Sequence, residues 1–380
     1  MLQMFVWSLS LYNIIEFKVS FFYAKSRTCS FIVLSIKGAL QKVKKRIFLF
    51  DNLKFLLIMT VVVGHCVYYM TGNSNIMKSI FIFIYSFHMP LFIYLSGLFH
   101  SDHNVKERCL LFIFLGYIMK AVLYLIKAVL FHKADFSLLS DAGVPWYMFA
   151  LAMFVACSYF LRNIDTRKIF ILSVILACIV GYDKSVGDYL YLSRFVVFYP
   201  FYLLGQMTDP ELLLRLHKNR SLKILSFAGI AVWAVLCVWK LDILYFLRPL
   251  FTGRHSFAGS SALEAYGPLC RLFCILAAIA IGLFLICLVP DRELPFITDA
   301  GRHTLQVYFW HRAIIYFMEY LKLDKILSGF AAGKILWLLF GVILTVILST
   351  KFFEFPVANI QRSFLPAKSR KEIPSQKRSC

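Results

Sequence analysis

The chain has 380 residues, of which 60% are hydrophobic, 17% aromatic and only 16% charged. Soluble domains carry roughly a quarter charged residues and do not expose so much apolar surface. The composition therefore excludes a soluble enzyme, a coiled coil and a disordered chain, and it predicts an all-α polytopic membrane protein. The 41 Lys and Arg outnumber the 20 Asp and Glu, for a net charge of +21. Because these basic residues lie between apolar segments, they indicate cytoplasmic loops and not a nucleic-acid partner.

Ten apolar segments are predicted to span the bilayer, since a spanning helix needs about 20 such residues. In chain order they are 47–70, 76–99, 109–131, 143–161, 168–182, 189–207, 221–239, 269–290, 303–321 and 332–350. An even number of spans puts both termini on one side, and both flanks of the bundle are basic. The sequence thus predicts a bundle of about ten transmembrane helices with both termini cytoplasmic.

Three regions follow one another along the chain. Residues 1–46 begin with an apolar stretch that lacks the basic start of a signal peptide, so an anchor, a weak extra span and a misassigned start all remain open. Residues 47–355 form the membrane domain. Residues 356–380 are a basic cytoplasmic tail that we expect to be disordered. Because no outer loop is long enough for a separate domain, we expect the helices themselves to build any active site.

The ten cysteines give no sign of a metal site or a disulfide framework. They are scattered, mostly within apolar runs, and no two have the CxxC spacing. We therefore predict free thiols and no bound metal.

The first span carries the sharpest polar pattern. Asp51, Lys54, Ile58, Val61 and His65 share one helical face, and ten residues separate the lysine from the histidine. The rise between those two side chains is about 16 Å, which places a charge near the cytoplasmic mouth and an imidazole deep in the membrane. Ionisable groups at that depth usually face the bundle interior or a wet cavity, although a lone histidine also serves as packing glue.

Other intramembrane polar residues are weaker candidates. His88 lies beside Pro90, where we expect a kink, and substrate binding and packing are equally open for it. We expect no direct contact between His88 and His65, which weakens any metal site built on two histidines. Arg194 is predicted to lie at the height of His65, where it binds acceptor or snorkels to headgroups. His311 and Arg312 face different directions, so at most one lines the cavity, and we favour His311.

Four charged residues have simpler interpretations. Snorkelling to headgroups explains Lys127, Arg271 and Glu319, which lie within reach of a membrane surface. Lys120 is deeper and shares a face with Lys127, so the two lysines also suit a polar seam.

Several fragments together resemble the acyltransferase 3 family of bacterial membrane O-acyltransferases, and most closely its fucose 4-O-acetylase-like branch. The fragments are Asp51-Asn52-Leu53-Lys54 with His65, Phe87-His88-Met89-Pro90-Leu91-Phe92 with Ser96-Gly97, Pro145-Trp146-Tyr147, Tyr199-Pro200-Phe201 with Gly205, and Gly301-Arg302-His303-Thr304-Leu305 with Tyr308 and His311. The resemblance covers residues 47–355.

The resemblance implies an enzyme of the bacterial inner membrane. It would move an acyl group, usually acetyl, from cytoplasmic acyl-CoA to a hydroxyl of a surface glycan or its lipid-linked precursor. No permanently bound cofactor is expected, and the partners are acyl-CoA, the saccharide acceptor and membrane lipids. Lys54 and His65 map onto the catalytic motif, while Asp51, His88, Arg194 and His311 remain candidates for substrate binding.

Donor binding is assigned to the loop after the second span. The family often shows an Arg-x-Arg pair there, where this chain has Lys106-Glu107-Arg108, so the motif is altered although its positive charge is kept. Lys106 and Arg108 are suited to the phosphates of acyl-CoA, and an ordinary positive-inside loop explains them equally well. A neutral imidazole suits proton removal from a hydroxyl, so His65 is either a general base or an acyl relay.

A secondary transporter, or an exporter of a glycan-related small molecule, is the alternative. Such proteins also have about ten spans and buried charges, but many are built from paired halves with broken helices in matching positions. The polar motifs of the first two spans have no counterpart in spans six and seven. This asymmetry favours an enzyme.

Overall fold

The computed structural model describes residues 47–132, 136–140, 143–254, 256–258 and 260–365. Most residues in these ranges lie in helices, and the ranges contain no β-strand beyond an isolated bridge between Ser140 and Tyr189. The prediction of an all-α membrane protein is confirmed. The predictions for residues 1–46 and for the end of the tail lie outside the described residues.

The α-helices cover each of the ten predicted segments. In chain order those of the described part are α1 (Phe48–Tyr68), α2 (Asn75–Tyr85), α3 (His88–Leu98), α4 (Val105–Phe131), α5 (Trp146–Phe160), α6 (Thr166–Ile179), α7 (Leu192–Met207), α8 (Pro210–Lys218), α9 (Arg220–Trp239), α10 (Leu241–Phe246), α11 (Arg248–Thr252), α12 (Ser261–Leu288), α13 (Ile297–Ala300), α14 (Thr304–Tyr320), α15 (Leu323–Ser328), α16 (Ala331–Leu348) and α17 (Val357–Phe364).

Six of the described helical segments are long and apolar enough to cross a membrane: α1, α2 with α3, α4, α9, α12 and α16. Helix α5 is apolar but has only 15 residues. Helices α6, α7 and α14 have 14, 16 and 17 residues. The prediction of ten spans with both termini cytoplasmic therefore stays a prediction.

Helix α1 lies at the centre of the bundle. It packs against α2, α3, α13, α14 and α16, and most of its residues are buried. Its start is fixed by Asn52, whose amide donates to the carbonyls of Pro290 and Arg292 and accepts from the Thr298 hydroxyl. Because helices surround α1, the face that carries Lys54 and His65 is directed into the protein and not towards lipid.

Glycines let α3 and α7 cross at very short range. A Cβ added to Gly97 would lie 1.9 Å from the carbonyl oxygen of Tyr202, and one added to Gly205 would lie 2.1 Å from that of Tyr94. The two backbones are therefore in direct contact, as in the small-residue crossings of other membrane helices. Both glycines belong to the fragments singled out in the sequence.

The helix break in the second predicted span lies before Pro90. Helix α2 ends at Tyr85 and α3 begins at His88. Proline has no N–H with which to bond the carbonyl four residues earlier, and its ring crowds that carbonyl, so the distortion falls on the turn that precedes it. Nδ1 of His88 donates to the carbonyl oxygen of Ile84 at 2.8 Å and so replaces part of the lost ladder.

The sequence predicts a disordered tail after Phe355, but the first part of that tail forms helix α17. Helix α17 packs against α4, where the rings of Phe364 and Phe114 are 5.5 Å apart, and Val357 is buried. The prediction is wrong for this segment because apolar residues on one face of a short helix find a partner surface on the bundle.

Candidate active site

Two histidines from different helices meet in the interior of the bundle. His65 of α1 and His311 of α14 have ring centres 5.3 Å apart. His311 is fully buried, and its Nδ1 donates to the carbonyl oxygens of Val307 and Tyr308 at 3.1 and 2.8 Å. Since carbonyls only accept, Nδ1 carries a proton and fixes the orientation of the ring. Nε2 of His311 is buried and has no hydrogen-bond partner among the residues that the structure describes.

The ring of His65 is held less firmly than that of His311. It is partly exposed, and it makes no hydrogen bond to any residue in the described part of the chain. Its nitrogen atoms are therefore available to a bound molecule. Arg312, His311, His88 and Arg194 are the charged or titratable groups that act on it electrostatically, with Arg312 the strongest.

Arg312 faces α1, which the sequence reasoning did not anticipate. Its Cζ lies 4.4 Å from the ring centre of Tyr316 and 5.3 Å from that of Tyr69, which is one helical turn beyond His65. The long guanidinium side chain therefore approaches the same helix as its shorter neighbour His311. That at most one of the two lines the cavity stays a prediction.

Glu319 also belongs to this side of the bundle. Its Oε2 accepts a 2.7 Å hydrogen bond from the hydroxyl of Tyr69. The earlier interpretation of Glu319 as a snorkelling residue is therefore replaced by a contact inside the protein.

Arg194 and His88 lie on the helices around this pair. Arg194 is 4% exposed, its Cζ lies 4.7 Å from the ring centre of Trp146, and its Nη2 is 4.0 Å from Asp188. It is enclosed by protein, and its position at the height of His65 stays a prediction. His88 packs edge-on against Tyr85 at 4.6 Å, so its visible contacts are those of a packed residue that completes the helix break.

Lys54 and Asp51 lie at the other end of the α1 face. The Nζ of Lys54 is 3.8 Å from Oδ1 of Asp51 and 5.1 Å from the ring centre of Phe99. Asp51 is buried, and its backbone oxygen lies against Gly301, where a Cβ would stand only 1.9 Å away. Lys54 keeps 32% of its side chain exposed and so remains accessible to an anion.

The basic residues predicted to lie in the loop after the second span lie instead in the first turn of α4. Lys106 is exposed, and the guanidinium of Arg108 donates to the carbonyl oxygen of Ser101 at 2.7 Å. His100 contacts the hydroxyl of Tyr202 at 2.8 Å, and burial lowers the pKa of its imidazole below the usual value. The structure therefore brings Lys54 and Arg108 to one mouth of the bundle but leaves Lys106 without a visible role.

Two basic residues are buried where the sequence suggested a polar seam or headgroups. Lys120 donates to the carbonyls of Leu138 and Ser140 and to the hydroxyl of Tyr191, so it fixes a loop. Arg271 is 1% exposed and donates to the carbonyl oxygen of Leu250, so the snorkelling interpretation is wrong for it. Hydropathy alone did not reveal the hydrogen-bond partners of Lys120 and Arg271, because those partners lie about 20 or more residues away along the chain.

No group of three or more His, Cys, Asp or Glu in the described ranges is arranged to hold a metal ion. The pair of imidazoles formed by His65 and His311 offers at most two nitrogen ligands, whereas a structural zinc needs four.

Comparison with known proteins supplies the identity of the fold. A protein-family profile described as an acyltransferase domain, that of acyltransferase 3, matches residues 48–353. No curated protein and no solved structure matches the chain. The matched region contains α1 to α16 and both histidines of the buried pair. The chain therefore belongs to the acyltransferase 3 family and is a multi-pass membrane acyltransferase.

Proposed function

We propose that this protein transfers an acyl group, most simply acetyl, from cytoplasmic acyl-CoA to a hydroxyl of a cell-surface glycan or its lipid-linked precursor in a bacterial inner membrane. The observation that carries the proposal is the position of His65. Its imidazole has no fixed partner in the described chain, lies beside a second oriented imidazole, and stands within a domain of the acyltransferase family.

His65 acts as the general base in this proposal. A sugar hydroxyl is a poor nucleophile at neutral pH, and an imidazole within hydrogen-bond reach removes its proton as the oxygen attacks the thioester carbonyl. The C–O bond forms, the C–S bond breaks, and the proton passes from the imidazolium to the departing thiolate. An acyl relay through His65 would instead leave a transient acyl-imidazole, which intact-protein mass spectrometry after acid quenching would detect.

The donor enters from the mouth that carries Lys54 and Arg108. Coenzyme A is anionic through its phosphates, and charge-assisted hydrogen bonds to Lys and Arg are the usual way to hold such groups. The side chains of Lys54 and His65 are separated by about 16 Å of helical rise. The pantetheine arm is narrow and extended enough to carry a thioester from that mouth towards the imidazole. Lys54 thus positions the donor at a distance from the reacting atoms.

The acceptor would approach from the side of Arg194 and His311. Arg194 is enclosed near Trp146, and a guanidinium beside an aromatic ring is a common setting for sugars and for the phosphates of lipid carriers. Asp51 and His88, which have internal partners, then support the site and need not touch substrate.

The proposal is tested with the purified full chain in lipid nanodiscs. Radiolabelled acetyl-CoA is the donor, a panel of methyl glycosides is the acceptor, and release of free thiol is followed together with label on the sugar. We expect both products in equal amounts. The same protein is also reconstituted into sealed vesicles. Uptake of glycoside into these vesicles without release of free thiol would contradict the proposal and favour the transporter.

A further inference from the structure

Arg312 has one charged donor nitrogen that no described residue satisfies. This atom, Nη1, is buried and has no hydrogen-bond partner in the described part of the chain, while the guanidinium packs against Tyr316. No carboxylate among the described residues lies within ion-pair distance of the guanidinium, and Glu319, on the same helix, accepts from Tyr69 instead. Leaving a charged donor unsatisfied costs more free energy than leaving a neutral one unsatisfied. An open donor does not by itself mark a ligand site, since Arg271 also has unpaired nitrogens; the position of Arg312 beside the histidine pair is what distinguishes it.

The position of Arg312 indicates which acceptor would satisfy that donor. The residue follows His311 directly, and its guanidinium contacts Tyr69, one turn beyond His65. Side chains four residues apart on a helix are neighbours, so the guanidinium lies on the side of α1 that carries His65, and it interacts electrostatically with that imidazole. The two aromatic rings of Tyr69 and Tyr316 hold the guanidinium in place. A donor fixed beside the base is suited to charge that develops during the reaction.

We propose that Arg312 is the oxyanion-binding residue of acyl transfer, with Nη1 donating to the thioester carbonyl oxygen. This inference rests on the proposed function. When the hydroxyl oxygen attacks, the electron pair of the C=O double bond moves to that oxygen and the hydroxyl proton moves to His65. Arg312 then faces a full negative charge. When the C=O double bond reforms, the pair returns, the C–S bond breaks, and the thiolate takes the proton from His65.

Arg271 supplies a matched control within the same membrane domain. It is also a buried arginine, and within the described ranges its Nε and Nη2 have no hydrogen-bond partner. Its Nη1 donates to the carbonyl of Leu250 and its Cζ lies 5.9 Å from the ring centre of Phe257, so it supports the fold. Replacing it tests what the loss of a buried guanidinium does by itself.

The experiment compares Arg312→Gln and Arg271→Gln as purified full chains in nanodiscs, with acetyl-CoA as donor and the methyl glycoside panel as acceptor. Removal of one oxyanion donor commonly lowers kcat by about 10²–10³-fold. We expect a loss of that size for Arg312→Gln, with KM for acetyl-CoA within about threefold of wild type, and kcat for Arg271→Gln within about fivefold of wild type.

Three results would overturn the assignment of Arg312. One is a kcat of Arg312→Gln close to that of wild type, and another is an increase in KM with unchanged kcat, which would make the residue a donor-binding group. If Arg312→Gln does not elute as a folded protein, Arg312→Lys replaces it. The lysine variant keeps the cation but cannot place a donor at Nη1, so a kcat within about threefold of wild type would be the third such result. Inactive wild-type protein would contradict the proposed function, whereas active wild-type protein with an unaffected Arg312 variant contradicts only this inference.

Discussion

The close crossing of α3 and α7 predicts that Gly97→Ala lowers the stability of the protein. The added Cβ would lie 1.9 Å from the carbonyl oxygen of Tyr202, whereas Cβ contacts under 3.0 Å are essentially never seen. The backbones must therefore separate by at least 1.1 Å, the difference between those two distances. Because the obstacle is main chain and not a flexible side chain, the strain spreads along both helices.

Overpacking of this kind destabilises a protein by about 1–3 kcal/mol. A melting temperature lowered by about 2–10 °C follows from the usual relation between free energy and Tm. Thermal unfolding in detergent, followed with a thiol-reactive dye that reports exposure of buried cysteines, measures the effect. Gly72→Ala is the control, because no atom lies within 4 Å of its added Cβ. Equal melting temperatures for the two alanine variants would refute the close crossing.

Three further predictions concern other polar groups. His88→Ala removes the imidazole hydrogen bond to the Ile84 carbonyl and leaves that carbonyl with the longer bond from the Phe87 N–H. Stability should fall by about 0.5–1.5 kcal/mol, which chemical denaturation in detergent measures, with unchanged stability as the contrary result. Lys120→Met removes three hydrogen bonds that fix a loop, so limited proteolysis should cut that loop faster than in wild type. Burial lowers the pKa of His100, so the unfolded chain takes up the proton first, and stability should fall as pH drops below about 6.5. His100→Gln should flatten that dependence in melting curves recorded between about pH 5 and 7, and an identical slope would contradict the assignment.

The sequence was most informative where a single helix decides the outcome. The face shared by Lys54 and His65 follows from helical periodicity alone, and α1 presents it to the interior as predicted. The apolar runs likewise located the helices, because burial in lipid or protein requires the same composition.

The sequence was least informative where two distant segments meet. No pattern in α1 indicates that His311 lies 5.3 Å from His65, and nothing in the neighbourhood of Arg271 indicates the carbonyl of Leu250 as its partner. Arg312 could have been found from its chain position next to a favoured histidine, but helical direction alone underestimates how far an arginine reaches. The backbone contact at Gly97 depends on the crossing of two helices, which composition does not specify.

The most direct test of the account replaces the imidazole of His65. His65→Gln is expressed in cells that lack the native gene, beside His217→Gln, which removes a buried imidazole that bonds to the Ile286 carbonyl on another part of the bundle. Surface glycan is then examined by mass spectrometry for the increment of one acetyl group, and the amount of each protein in the membrane is measured. We expect the increment with wild type and with the His217 variant and none with the His65 variant at equal expression. Acetylated glycan at the wild-type level from His65→Gln would contradict the central claim.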